Sequence, residues 1–331
     1  MKIFVYNVRE FDEKPYFEHF SKIYGYEYVS TSEFPTLENA HCAQGCDAIS
    51  IIPCKMDALL LDKFHALGIR YILTRSIGFE HIDIAYAHKL GMRVSHASYS
   101  ANSVADYAIL MMLMCCRKVL QIVDRARIQD YTLKGKMGRE ISQCTIGIIG
   151  TGKIGCTVLK HLHGFGCRLL ANSAHQNEEA KQYASYVPLD TLFAESDIIS
   201  IHTSAKQDNY HFINSESIQK MKDNVILVNT ARGSLIDTKA LIDGIESGKI
   251  GAAALDVIEN EQGLYYLDKV GSIINHHDLA ILRSYPNVIF TPHTAFYTDV
   301  AISEQIESMF KSIHAFETGE DNPLEVFLKT L

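Results

Sequence analysis

The chain has 331 residues and a formal charge of −8 at pH 7. That length can hold two domains with sizeable cores, and the acidic balance disfavours nucleic acid or an anionic membrane surface as partner. No apolar run approaches the roughly 20 residues that cross a bilayer. The eight cysteines show no paired CxxC spacing, so no metal is expected on His41, Cys42, Cys46 and Cys54, and reduced cytoplasmic thiols are.

Strand-like and helix-like runs alternate from end to end, which predicts parallel sheets joined by crossover helices. The opening MKIFVYNVREFDEK soon turns polar and reads as a first strand, not a signal peptide. Lys2–Tyr6, Ala48–Ile52 and Tyr71–Thr74 read as strands of a first α/β unit, Glu80–Leu90 as a helix and Arg93–Ser95 as the next strand. A long apolar stretch from Ser103 to about Ile128 reads as one helix, with Ser103 as N-cap and Asp106 three residues on. It should be buried on most sides, and its length suggests a domain junction or a subunit interface.

A second α/β unit starts at Cys144. Its predicted strands are Thr145–Ile149, Arg168–Asn172, Ile198–His202, Val225–Asn229, Ala252–Asp256 and Val288–Phe290. Helices follow Lys153, Leu189, Ser215 and Thr238, and a last amphipathic helix runs from beyond Tyr297 to about Glu317. No Pro- or Gly-rich linker separates the units, so they should share crossing segments.

TIGIIGTGKIG holds the pattern GxGxxG at Gly150, Gly152 and Gly155, after a strand and before a helix. The first glycine permits the tight turn, the second lets backbone approach a pyrophosphate, and the third lets helix pack on sheet. The helix N-terminus adds unpaired N–H groups and a positive dipole end. A dinucleotide is the expected ligand. An acid is expected about 20 residues on, where it would bind the adenosine ribose. Ser173 stands there, followed by Ala174, His175 and Gln176. Repulsion against a 2′-phosphate is absent, but so is a cation to hold one, which leaves NAD mildly preferred and NADP open.

Three polar landmarks follow three strand ends of the second unit, where ligands bind in open α/β sheets. Arg232, in NTARG, offers a planar fork for a carboxylate or carbonyl. Glu261 lies just beyond Asp256, which ends its strand. His293, in TPHTA, could serve as general acid near neutrality if a glutamate reaches it. Each residue alone could be a surface or cap residue; their common placement argues for a site.

The stretches TRSIGFEHID (Thr74–Asp83), YSANSVADY (Tyr99–Tyr107), GIIGTGKIG, SDIISIH (Ser196–His202), LVNTARGSLIDT (Leu227–Thr238), AALDVIENE (Ala253–Glu261) and TPHTAFYT (Thr291–Thr298) together resemble the D-2-hydroxyacid dehydrogenase family, and within it the D-lactate dehydrogenase branch. The resemblance implies an α/β protein of two Rossmann-like/flavodoxin-like doubly wound domains with the active site in the cleft between them. A substrate domain would comprise residues 1–100 plus 299–331, with a dinucleotide-binding domain, 101–298, inserted. In the family the inserted domain's long helix builds a dimer, so a homodimer is expected.

Roles follow from the same resemblance. His293 would protonate the ketone oxygen as hydride arrives, Glu261 would hold that imidazole, and Arg232 would bind the substrate's carboxylate and carbonyl oxygens. The backbone of Ile77 and Gly78 would cradle the carboxylate, and Tyr99 would lie over the pocket. Lys153 and Ile154 would cover the pyrophosphate, Asp256 would bind the nicotinamide carboxamide, and His202, Thr203, Asn229 and Ala231 would line the dinucleotide. The chain departs from the family at Ser173, at Ser204 (often proline) and at Asn172 (often aromatic), all on the cofactor side. The implied reaction is reduction of a 2-oxo acid to the (R)-2-hydroxy acid, pyruvate to D-lactate first, with larger branched or aromatic 2-oxo acids as runner-up. The pocket is expected near Ile52–Met56, Tyr99 and Tyr297. Packing is the expected role of Tyr265 and Tyr266. A reading from another class is a dinucleotide-sensing scaffold, like the family's corepressors; the absence of a basic patch for a partner counts against it.

Overall fold

The computed structural model describes residues 1–327. The chain divides into two compact units, Met1–Ser100 with the segment from Tyr297 onward, and Ala101–Phe296.

In the first unit, β1 (Lys2–Val5), β2 (Glu27–Ser30), β3 (Ala48–Ile51), β4 (Tyr71–Thr74) and β5 (Arg93–Ser95) form a parallel sheet in the order β2-β1-β3-β4-β5. β3 and β4 are buried along their whole length, as strands covered on both faces must be. The helices are α1 (Lys14–Tyr24), α2 (Ala58–Ala66), α3 (Ile84–Lys89) and, from the C-terminal segment, α11 (Asp299–Thr318). α3 is shorter than the predicted Glu80–Leu90. Asp83 caps it by accepting from the Tyr86 amide (3.0 Å), and Ile82 is taken into a bridge with Met56.

The second unit is a seven-stranded parallel sheet. Its strands are β6 (Thr145–Ile149), β7 (Arg168–Asn172), β8 (Ser185–Tyr186), β9 (Ile198–Ile201), β10 (Val225–Asn229), β11 (Ile250–Leu255) and β12 (Val288–Phe290), in the order β12-β11-β10-β9-β6-β7-β8. The order reverses between β6 and β9, the switch point where such sheets open a crevice at the carboxyl ends of their strands. One core packs α4 (Asn102–Cys116) and α6 (Lys153–His163) against one face of the sheet. The other packs α7 (Leu189–Glu195), α8 (Ser215–Lys220), α9 (Thr238–Glu246) and α10 (His277–Ser284) against the opposite face.

The single long helix expected over Ser103–Ile128 is two helices, α4 and α5 (Val119–Arg127). Ala101, not Ser103, is the N-cap of α4, and Asp106 pairs with His161 (2.9 Å). The break falls at Lys118, in the left-handed region at φ +50°. The Arg139 amide satisfies the freed Cys116 carbonyl (2.8 Å). α4 buries much of its surface, whereas α5 has no buried residue.

Candidate active site

β6 runs straight into the glycine turn. Gly150 lies at φ +92°, and a Cβ on it would stand 2.7 Å from the His202–Thr203 peptide. A Cβ on Gly155 would stand 1.9 Å from the Gly150 carbonyl oxygen, so helix meets strand only because both side chains are missing. Gly152 differs. Nothing lies within 4 Å of its Cβ position, and it caps α6 without a side-chain hydrogen bond. The first helical bond runs from the Cys156 amide to the Gly152 carbonyl. The amides of Lys153, Ile154 and Gly155 therefore sit at the open helix end, where the dipole favours an anion. Two close-packed glycines around one that faces open space fit a dinucleotide's pyrophosphate.

The surroundings of the turn are pinned. Thr151 is buried; its hydroxyl accepts from Tyr186 Oη (2.7 Å) and its carbonyl from Asn177 Nδ2 (3.2 Å). Asn172 gives its side-chain amide to the Val187 carbonyl (2.9 Å). Ser173 follows, half-buried, with Ala174, His175 and Gln176 exposed. The Ser204 carbonyl accepts from Asn209 Nδ2 (2.8 Å). The His202 ring is hydrogen-bonded through Nε2 to Ser200 Oγ (2.9 Å). Burial pushes its imidazole down to about 4, so it is neutral at pH 7.

β10 ends in a tight turn. Asn229 is fully buried; its Nδ2 donates to the Arg232 carbonyl (2.9 Å) and its Oδ1 accepts from the Ala231 amide (3.0 Å). Its side chain thus folds the turn, and backbone is what the turn can offer a ligand there. Arg232 is half-buried, with Nη1 donating to the Ala231 carbonyl (2.8 Å). A Cβ on Gly233 would lie 2.0–2.4 Å from the Ile258–Glu259 peptide. The Arg232 turn therefore presses directly on the loop that follows β11.

Asp256 opens that loop and is fully buried. Its Oδ1 accepts from the Thr291 hydroxyl (2.6 Å) and the Thr294 amide (2.8 Å), and its Oδ2 from the Ala295 amide (2.9 Å). Its carbonyl accepts from the His293 amide (2.8 Å). One residue thereby gathers the loop after β12, and only Oδ2 keeps much acceptor capacity for a further donor. His293 sits at φ +54°, a left-handed conformation that costs a non-glycine residue roughly 1 kcal/mol or more. Its Nδ1 lies 2.7 Å from Glu261 Oε1, with both side chains about one quarter exposed (26% and 24%). Glu261 Oε2 accepts from the Ile258 amide (3.2 Å). A carboxylate only accepts, so Nδ1 carries hydrogen and Nε2 is the atom left to act.

Tyr266 was expected to pack, and it does more: its hydroxyl donates to the His293 carbonyl (2.9 Å). The rings of Tyr265, Tyr266 and Phe296 stand 6.3–6.4 Å from the imidazole. The structure thus joins Glu261 to His293 directly and sets the Arg232 turn against the Glu261 loop.

In the first unit, the Ile77–Gly78 loop is fixed by Ser76, whose hydroxyl donates to the Gly78 carbonyl (2.6 Å) and bonds Thr74 Oγ1 (2.7 Å). Beneath it lies Arg75, buried. It donates to Glu13 Oε1 (3.0 Å), Ser50 Oγ (3.0 Å) and the carbonyls of Tyr6 (3.1 Å) and Asn7 (3.0 Å). It ties β1, β3 and β4 together at their carboxyl ends. In the sequence Arg75 is one cation among many, and nothing singles it out. Ile77 is exposed and Tyr99 half-buried.

A cavity of about 210 Å³ lies at the amino ends of β10–β12, lined by Cys116, Arg139, Asn224, Gly251 and Asn287 among others. That is the end of the sheet opposite His293. Among the described residues, no group of three or more His, Cys, Asp or Glu side chains gathers as a metal cage, and no helix is long and apolar enough to cross a membrane.

The family model described as D-isomer specific 2-hydroxyacid dehydrogenase, NAD binding domain, matches residues 109–295. An aromatic 2-oxoacid reductase of Clostridium sporogenes is 41% identical over 324 residues, 96% of each chain. The D-lactate dehydrogenase of Escherichia coli K12 is 35% identical, over 98% of this chain and 100% of that one. A solved D-lactate dehydrogenase of Treponema pallidum shares the fold with a TM-score of 0.90 at 32% identity, over 99% of this chain and 100% of that one. The chain belongs to the D-isomer specific 2-hydroxyacid dehydrogenase family and carries its NAD binding domain.

Proposed function

We propose that this enzyme reduces a 2-oxo acid to the (R)-2-hydroxy acid, with pyruvate to D-lactate as the leading reaction. The observation that carries the reading is the 2.7 Å bond from His293 Nδ1 to Glu261, on a loop held by a fully buried carboxylate. With Nδ1 committed, Nε2 of the protonated imidazole delivers a proton to the substrate's carbonyl oxygen. Glu261 keeps the ring oriented and stabilises its charge. Arg232 binds the substrate's carboxylate and carbonyl through its fork. Ile77 and Gly78 present backbone to the same carboxylate, and Tyr99 covers the substrate. When bound, the reduced nicotinamide supplies the hydride. Gly150, Gly152, Lys153, Ile154 and Gly155 hold its pyrophosphate; Ser173, His202, Thr203, Asn229, Ala231 and Asp256 complete the dinucleotide side. Unit one is the substrate domain and unit two the dinucleotide domain.

A second reading, reduction of an aromatic 2-oxo acid, is favoured by the 41% identity to the Clostridium sporogenes reductase. NADPH use stays within the proposal because Ser173 brings no charge against a 2′-phosphate. A homodimer is supported by the apolar face of α5 and the segment after it, where Ile128, Tyr131, Leu133 and Met137 are each at least three quarters exposed. Eight unpaired cysteines support a reducing, cytoplasmic home.

The test is oxidation of NADH and of NADPH, followed by absorbance, across pyruvate and branched and aromatic 2-oxo acids. Highest kcat/KM with pyruvate is expected, and a larger value with phenylpyruvate would replace the first reading by the second. In parallel, Ser173→Asp should lower the NADPH-to-NADH ratio at least about 10-fold by repulsion. Silence across the panel, in folded protein that binds dinucleotide, would favour the scaffold instead.

A further inference from the structure

Resting on the roles just assigned to Arg232, Glu261 and His293, we propose that Glu259 is a positioning residue for the reaction: its carboxylate ties the loop carrying Glu261 to His211 and to Thr238, at the start of the helix that follows the Arg232 turn, while its main chain packs on that turn at Gly233. The two glutamates sit two positions apart on one loop and face different partners. Glu261 takes His293. Glu259 Oε2 accepts from the Thr238 hydroxyl (2.7 Å) and amide (3.3 Å), at the start of α9. Its Oε1 accepts from His211 Nε2 (2.6 Å) and Tyr210 Oη (3.3 Å).

The main chain of Glu259 is held as well. The Leu279 amide donates to His276 Nδ1 (3.2 Å), so the ring's hydrogen is on Nε2, which donates to the Glu259 carbonyl (3.0 Å). On the other side, Gly233 lies against the Ile258–Glu259 peptide so closely that no Cβ fits between them. The Ile258 amide, next along the chain, bonds Glu261 Oε2. A continuous path of contacts thus runs from Arg232 through Gly233 to Ile258 and Glu261, and the Glu259 carboxylate closes it by way of Thr238 and His211.

The charge state suits that task. Burial opposes ionisation of Glu259, but the bonds from His211 and Thr238 prevail and hold its carboxyl below the usual range. At neutral pH it is an acceptor only, matched to the donors around it. His211 takes a left-handed backbone at φ +52° and stacks its ring on Tyr210 at 3.8 Å. The clasp therefore organises its own loop as well as the catalytic one.

The test compares wild type with Glu259→Gln and Thr238→Val. Each is measured for kcat, for KM of the 2-oxo acid, for NADH dissociation constant and for Tm. A misplacement of the order of 1 Å can cost about 100-fold in rate. Glu259→Gln is expected to lower kcat by about 10- to 100-fold and raise KM severalfold, because proton donor and carboxylate clamp lose register together. NADH affinity should stay within about threefold, since the glycine turn is untouched. Thr238→Val, which deletes one hydroxyl donor and keeps the amide, should move kcat and KM in the same direction by less; it carries the test if Glu259→Gln fails to fold. Unchanged kcat and KM in both variants would overturn the role. So would losses that track Tm and NADH binding together, which mark a merely structural residue. A wild type silent with every 2-oxo acid would sink the functional reading and this role with it, whereas an active wild type with indifferent variants would sink this role alone.

Discussion

The loops at the carboxyl end of the second sheet and the segment after α4 belong to one unit and solve opposite problems. The 256–261 and 291–295 loops expose little and leave few polar groups to chance. Asp256 alone collects two amides and a hydroxyl from the neighbouring loop, and the unfavourable backbone of His293 is held at its amide, its ring and its carbonyl. From Lys118 to Met137 the chain does the reverse. α5 buries nothing, and Leu133 and Met137 are 88% and 87% exposed. The first region is held by hydrogen bonds from its own unit, so its geometry can be set to the accuracy a proton transfer needs. The second leaves apolar side chains in solvent, the kind of surface on which the proposed dimer would form.

The sharpest way to break the first half of that comparison is His293→Ala. General acids contribute about 100- to 10,000-fold, so kcat should fall at least about 100-fold. NADH binding, followed by fluorescence, should hold within about threefold, because the glycine turn lies on a different strand end. Turnover within about 10-fold of wild type would move the proton donor elsewhere.

How much of this was legible in the sequence follows from the same contrast. The glycine turn and the strands feeding it are readable because their signals are local: an apolar run, three glycines at fixed offsets, a helix. Residues at strand ends are readable for the same reason, since topology sends them to one edge of the sheet. Pairing is not readable. Nothing in AALDVIENE tells which glutamate faces His293, 32 positions from Glu261, and which faces His211. For Asn229 the resemblance implies a place beside the dinucleotide, but nothing in the sequence tells that its side-chain amide folds the turn. The break at Lys118 is hidden because the Arg139 amide, brought there by tertiary structure, satisfies the Cys116 carbonyl. β2 escaped notice because Glu27–Ser30 is largely exposed and carries no clean alternation of apolar and polar residues.

The second half of the comparison is tested by Leu133→Glu combined with Met137→Glu. Both side chains point into solvent in the isolated chain, so a monomer should lose nothing by the exchange. In a dimer each buried side chain contributes roughly 1.5–3 kcal/mol relative to exposure, and charging both should shift the molecular mass measured by light scattering from two chains towards one. kcat should change by less than about threefold, because the segment borders the amino ends of β10–β12, the end of the sheet opposite His293. A wild type that is monomeric at micromolar concentration, or a variant that stays dimeric, would assign this face to another purpose.

The smallest effect expected is a pH dependence seated under the glycine turn. Burial holds His202 at about 4 in the folded state, against 6.5 for the free side chain. The unfolded chain therefore binds a proton between those values that the folded chain does not, and stability rises with pH across the interval. The contribution of a neutral His202 is fully present above about pH 6.5 and is lost as pH falls through about 4. Tm should drop over that window, and His202→Gln, which keeps a hydrogen-bonding side chain beside Ser200 but cannot take up the proton, should flatten part of the drop. The slope that remains would come from carboxylates such as Glu259, whose pKa is likewise lowered by its partners and whose loss begins at lower pH. An identical acid limb in variant and wild type would mean that His202 is protonated in the fold. The packing around Gly150 and Gly155 would then have to admit a charge where the neutral ring now sits.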